Sequence, residues 1–196
     1  MLTEILQRMG FHPGKDKPRV GVSACLLGRP VRYNGERKYN AWISDELPAL
    51  FQLVETCPEV GIGLPVPRPP IQVVRVAGGH RVRGVHAPQQ DFTDALTGYA
   101  DGIADGLDGF IVKARSPSCG FGTTPLHDPR GNEIGTSDGA FTARLRERFA
   151  SLPMCDEEAL ANEAGRLAFV LAVFRYRREQ VPTRGTAFIP KPPPGR

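Results

Sequence analysis

Three times in this chain a short apolar run of strand character ends within a few residues of a cysteine, and that repetition constrains the fold more than any other feature of its 196 residues. Arg19-Val20-Gly21-Val22-Ser23-Ala24 leads to Cys25, Leu53 to Thr56 leads to Cys57, and Gly109 to Ala114 leads to Cys119. Runs of this kind, rich in β-branched residues and bounded by turn formers, read as buried strands. Helical patterns separate them, so the strands belong in a mainly parallel sheet flanked by helices, an α/β fold in which ligands gather beyond the carboxyl ends of the strands. Three thiols from three strands are therefore expected at one rim.

The remaining pattern fills in around that sheet. Residues 1–10 read as a short amphipathic helix followed by a polar link, giving a lead segment over 1–17, one α/β domain over 18–180 and a Pro/basic tail over 181–196. After a loop over 26–42, Ser44-Asp45-Glu46 predicts a helix start into Leu47, Leu50 and Phe51. Five prolines among the thirteen residues from Pro58 to Pro70 exclude helix and central strand and predict a stiff extended wall. Ile71 to Val76 and His80 to Val85, on either side of Gly78-Gly79, predict a small antiparallel ribbon. Asp91 or Thr93 can cap a helix carrying Phe92, Leu96, Tyr99, Ala100 and Ile103 on one stripe. Two more helices are expected, from Asp138 to Phe149 and from Asp156 to about Gln180, the second burying Leu160, Leu167, Val170, Leu171 and Phe174.

Composition narrows the function classes. With 22 Gly and 19 Pro, long Gly/Pro-rich loops are expected. The net charge of +4 comes from basic residues that are scattered except at Arg175, Arg177 and Arg178, so no nucleic-acid partner is called for. No stretch approaches the roughly 20 apolar residues that span a bilayer, and residues 1–10 lack the character of a signal peptide. The expected compartment is the cytoplasm, where thiols stay reduced.

What the cysteines do must then come from their surroundings. Separations of 31 and 61 intervening residues rule out a C-x-x-C ribbon. Each of the three sits beside Gly, Pro or Ser, in SACLLG, TCPEVG and SPSCG, where backbone N–H groups can approach thiolate and sulfide. The hydroxyls of Ser23, Ser116 and Ser118 offer further donors. Cys155, after Pro153-Met154, lacks that setting. Three thiolates suit an Fe-S cluster with one iron unligated by protein and open to substrate sulfur. They also suit a catalytic zinc with a water, or simple core packing. A zinc- or cluster-containing binding or regulatory module is the alternative to an enzyme.

The motifs SACLLGRPVRYNG (23–35), CPEVGIGLPVPRPP (57–70), DFT (91–93), GFIVKARSPSCG (109–120) and SDGAF (137–141) resemble the family known as domain of unknown function 523, whose characterised members are TudS-like 2-thiouracil desulfidases. The resemblance covers residues 18–178. It implies a [4Fe-4S] cluster on Cys25, Cys57 and Cys119 and removal of sulfur from a thiocarbonyl as hydrosulfide. It also implies a catalytic carboxylate and serine, which fall on Glu59 and Ser116, with Glu55 and Ser118 close in sequence. LPMCDEEALAN (152–162) and FVLAVFRYRR (169–178) resemble the end of this domain in longer members that continue into a YbgA-like domain. This chain is expected to lack that second domain, and a YbgA-like protein becomes a candidate associate.

Other candidates follow from position. Ser23, Arg32, Tyr33 and Ser118 are candidate substrate contacts, with Asn34 beside them; a pyrimidine can stack on the tyrosine and bond to the arginine. Arg68 and Lys113 would offset cluster charge. His80, His86 and His127 share no ligand spacing with a cysteine and are left out of the site. The substrate class is a small thiolated heterocycle or nucleoside.

Overall fold

The computed structural model describes residues 2–8, 10–11, 17–103 and 105–184. After the short helix α1 (Leu2–Arg8), strand β1 (Arg19–Ser23) runs into a tight turn of 3-10 helix over Ala24–Leu27. A wound segment over Trp42–Glu46 and Leu47–Ala49 follows, then β2 (Gln52–Thr56). That segment begins two residues before the expected Ser44, just after Asn40, whose Oδ1 accepts the Ile43 N–H at 3.2 Å.

The proline-rich stretch corrects the expectation of no helix. Pro58–Gly61 form a single helical turn, α2, in which the Gly61 N–H bonds to the Cys57 carbonyl at 2.8 Å. Proline is tolerated here because it occupies the first helical position, where no N–H is needed. Beyond the turn, residues 64–70 belong to no helix or strand.

The chain continues as β3 (Ile71–Val76), β4 (Gly79–Gly84), α3 (Thr93–Ile103), β5 (Gly109–Val112), β6 (Thr124–His127), β7 (Glu133–Ser137), α4 (Ala140–Arg148), β8 (Met154–Asp156) and α5 (Glu163–Arg184). Asp91 Oδ1 accepts the Thr93 N–H at 3.0 Å where α3 starts. The last helix begins seven residues later than expected, because Met154–Asp156 pair with β5 as a fourth strand. It runs on to Arg184, past the boundary expected at 180; the tail from 185 lies outside the described residues.

Two sheets result. The first is parallel throughout, ordered β2-β1-β5-β8. The second is mixed, ordered β4-β3-β6-β7, so the expected ribbon is half of a four-stranded sheet. Its two central strands, β1 and β5, are buried on both faces, as their near-continuous apolar character requires. Val20, Val22 and Ile111 face a core with Leu6, Ile43, Phe51, Val170 and Phe174. Phe110 and Val112 face the opposite way, onto Ala100, Phe141 and Leu145 of α3 and α4. A third cluster, Val73, Val82, Leu96 and Leu126, joins the second sheet to α3. Parallel strands pointing one way put Ser23, Thr56 and Val112 at a common rim, and the cysteines lie just past them.

Candidate active site

Cys25, Cys57 and Cys119 line one cavity of about 610 Å³, together with Glu59, Arg68, Lys113 and Glu157. Different local devices bring each thiol there. Cys25 sits in the 3-10 turn, whose Gly28 closes it at φ 81°, a left-handed conformation that costs glycine nothing. Cys57 precedes α2, and the backbone N–H groups of Val60 and Glu59 favour its thiolate. Cys119 lies in a loop whose turn is tied by Ser116: the serine Oγ accepts the Cys119 N–H at 3.1 Å and the Ser118 N–H at 3.3 Å.

The start of α4 clamps that loop from below. Thr142 Oγ1 donates to the Cys119 carbonyl at 2.6 Å, and the Phe141 N–H to the Ser118 carbonyl at 3.0 Å. Gly139 makes this approach feasible, since a Cβ there would stand 2.4 Å from the Ser118 carbonyl carbon.

The thiols sense one another. Burial pushes Cys25 up to about 11, with the Cys57 charge raising it further and Lys113 opposing. Burial also raises Cys57, with Glu59 adding to the rise. Cys119 is raised well above the usual thiol range by burial, then by Cys57 and Glu59, while the Ser23 hydroxyl opposes. The apo fold therefore holds neutral thiols. Above pH 9.0 unfolded thiols ionise while the buried ones keep their protons, so the unfolded state binds fewer protons and stability falls with pH. Cys25 alone should remove about 2–3 kcal/mol as the pH rises through its raised value. Urea unfolding of the apo chain below pH 9 and near pH 11 checks this, and equal midpoints would contradict it.

One buried and one partly buried ion pair stand among the thiols. Glu59 Oε2 accepts from Arg68 Nε at 2.7 Å and Oε1 accepts from Ser118 Oγ at 3.0 Å. Arg68 also donates to the Val31 carbonyl at 2.9 Å and the Pro65 carbonyl at 3.2 Å, tying the proline-rich wall to the first cysteine's loop. On the Cys25 side, Lys113 pairs with Glu157, whose other oxygen accepts the Ala114 N–H at 2.7 Å. The Lys113 N–H in turn bonds to Ser23 Oγ at 3.0 Å.

Of the residues expected at the site, Ser23, Arg32, Tyr33, Glu59, Arg68, Lys113 and Ser116 line the cavity with the three cysteines. Arg32 pairs with Glu36 at 2.6 Å, and its guanidinium lies 5.9 Å from the centroid of the Tyr33 ring, which is 44% exposed at the mouth. Ser118 is fully buried against Glu59 and does not line the cavity. Glu55 points away and pairs with Arg29, and Asn34 caps the Glu36 N–H within its own loop. Cys155 lies on β8, packed beside the core, and none of the three histidines lines the cavity. Glu157 is the residue that sequence reading missed. It follows a strand only three residues long, too short for periodicity to reveal.

The donor set fits a multi-iron cluster. Three thiols that come from three separate strand ends and line one cavity are thiolate donors of the kind an iron-sulfur cluster takes. Arg68, Lys113 and Arg32 also line the cavity, each paired with a carboxylate, Glu59, Glu157 and Glu36 in turn.

A family model for 2-thiouracil desulfurase matches residues 20–157, which contain all three cysteines, both ion pairs and all of the parallel sheet but its first residue. The chain belongs to the 2-thiouracil desulfurase family. A solved structure described as the [4Fe-4S]-dependent thiouracil desulfidase TudS is similar at 33% identity and a TM-score of 0.62, over 80% of this chain and 99% of that one. No curated protein matches the chain. Family membership makes it an enzyme, on a mixed α/β fold shared with that desulfidase. Among the described residues no helix is long and apolar enough to cross a membrane.

Proposed function

We propose that this enzyme converts the C=S of a thiolated pyrimidine or its nucleoside to C=O, with water as the oxygen source and hydrosulfide and a proton as the other products. No net redox change is involved. Cys25, Cys57 and Cys119 would hold a [4Fe-4S] cluster as its three protein thiolates. When bound, such a group supplies a Lewis-acidic position for the substrate sulfur.

The observation that carries this reading is a buried carboxylate in the same cavity as the three thiols. Arg68 and Ser118 fix both oxygens of Glu59, so its geometry is set before substrate arrives. Glu59 takes a proton from the water that attacks the thiocarbonyl carbon. Ser116 accepts two backbone N–H groups at its oxygen, which leaves its own hydrogen to be donated to the heterocycle or the developing anion. Ser23 and Ser118 hold the surrounding polar groups in place. Tyr33 and Arg32, at the mouth, stack and bond a flat ring.

The chain's work is set in the cytoplasm, where reduced thiols remain available to iron. A YbgA-like protein is its proposed functional associate.

The direct test is to reconstitute the chain anaerobically with iron and sulfide and follow loss of near-ultraviolet absorbance of 2-thiouracil and 4-thiouridine. Turnover of at least one is expected, with none from Cys119→Ser. A brown, iron-loaded sample that leaves both compounds intact overturns the activity, and a Cys119→Ser variant of full activity overturns the ligand set.

A further inference from the structure

The turn that carries both Cys57 and Glu59 is held from outside the cavity by one side chain of α3. Thr56, the cavity-lining residue before Cys57, shares a hydrogen bond of 2.9 Å with the Tyr99 hydroxyl. At the other end of the same turn, Gly61 lies against the tyrosine ring so closely that a Cβ would stand 2.2 Å from Cε2 and 2.8 Å from the hydroxyl oxygen. One side chain thus touches the turn before its cysteine and after its glutamate.

The ring also faces the third cysteine's loop. Tyr99 and Phe141 lie 6.2 Å apart between centroids, and Phe141 is the residue whose N–H holds the Ser118 carbonyl. Phe141 is fully buried and packs in turn against Phe110 of β5, so it is not free to shift. The stack from Phe110 through Phe141 to Tyr99 ends on the Cys57 turn.

We infer that Tyr99 is a positioning residue that sets the placement of the Cys57–Glu59 turn relative to the Cys119 loop, and so the span between two cluster ligands and the reach of the carboxylate. The inference rests on the proposed ligand set and deepens that reading. Reactive geometries are sensitive to small displacements, because a misplacement of about 1 Å can cost on the order of 100-fold in rate. A hydroxyl outside the cavity can therefore govern chemistry inside it.

Tyr99→Phe tests this, because it keeps the ring against Gly61 and Phe141 and removes only the bond to Thr56. In the apo chain, iodoacetamide labelling followed site by site should quicken severalfold at Cys57 and stay unchanged at Cys25 and Cys119. In the reconstituted protein, iron should be lost faster in air, and kcat should fall by about tenfold with KM unchanged. Thr56→Val removes the same bond from its other end, so the double variant should be no worse than the more affected single variant.

Unchanged Cys57 labelling and iron retention in Tyr99→Phe would overturn the inference. Equal quickening at all three cysteines would also overturn it, since that is general loosening. If the wild-type chain proves inactive on thiolated pyrimidines, the proposed function fails, while the labelling and iron measurements still judge Tyr99.

Discussion

Glu59→Gln is expected to lower kcat on the thiolated substrate by about 10²–10⁴-fold, the usual contribution of a positioned acid–base group, with iron content equal to wild type. Glutamine fills the same space. Its carbonyl can accept from Arg68 and its amide can donate to Ser118, so the two contacts at 2.7 and 3.0 Å have neutral replacements. What it lacks is the carboxylate that takes a proton. Glu55→Gln is the control, because Glu55 lies outside the cavity and pairs with an exposed Arg29. Its kcat should match wild type. A Glu59→Gln enzyme that turns over normally would remove the carboxylate from the mechanism.

Arg68→Met is expected to cost about 3–5 kcal/mol of folding stability, the penalty for stranding one charge of a buried pair. The Arg68 side chain is 4% exposed and that of Glu59 12%, so the carboxylate would lose its cationic partner in a largely desolvated place. The same guanidinium bridges Val31 and Pro65, and its removal also unties the proline-rich wall from the loop after Cys25. Combining Arg68→Met with Glu59→Leu should recover much of the loss, because neither charge then remains buried alone. Urea midpoints of the two variants and wild type decide the matter. If Arg68→Met unfolds at the wild-type midpoint, the pair does not hold the site together.

Much of the frame was legible from local pattern. Three of the four strands of the parallel sheet are short runs of apolar or β-branched residues, the signal that burial on both faces leaves in a sequence. The stripe of α3 and the hairpin around Gly78-Gly79 were read from spacing and turn chemistry alone. Strands β6, β7 and β8 escaped because their signals are weak. Pro125 interrupts β6, β7 is mostly exposed, and β8 spans three residues. With β8 unread, Glu157 could not be placed at the rim that its strand end reaches.

The residue types at the rim, three cysteines each leaving a strand, were determined by the sequence itself, because strand pattern and turn formers act over a few neighbouring positions. Which charges meet there was decided only by the tertiary structure. Glu59 finds Ser118 across 59 positions and Lys113 finds Glu157 across 44, while Glu55, two residues from Cys57, turns away. Successive side chains of a strand alternate between faces, and partners far apart in the chain meet only after the sheet has closed on its helices. Proximity in sequence could therefore name the carboxylate candidates, and only packing could separate them.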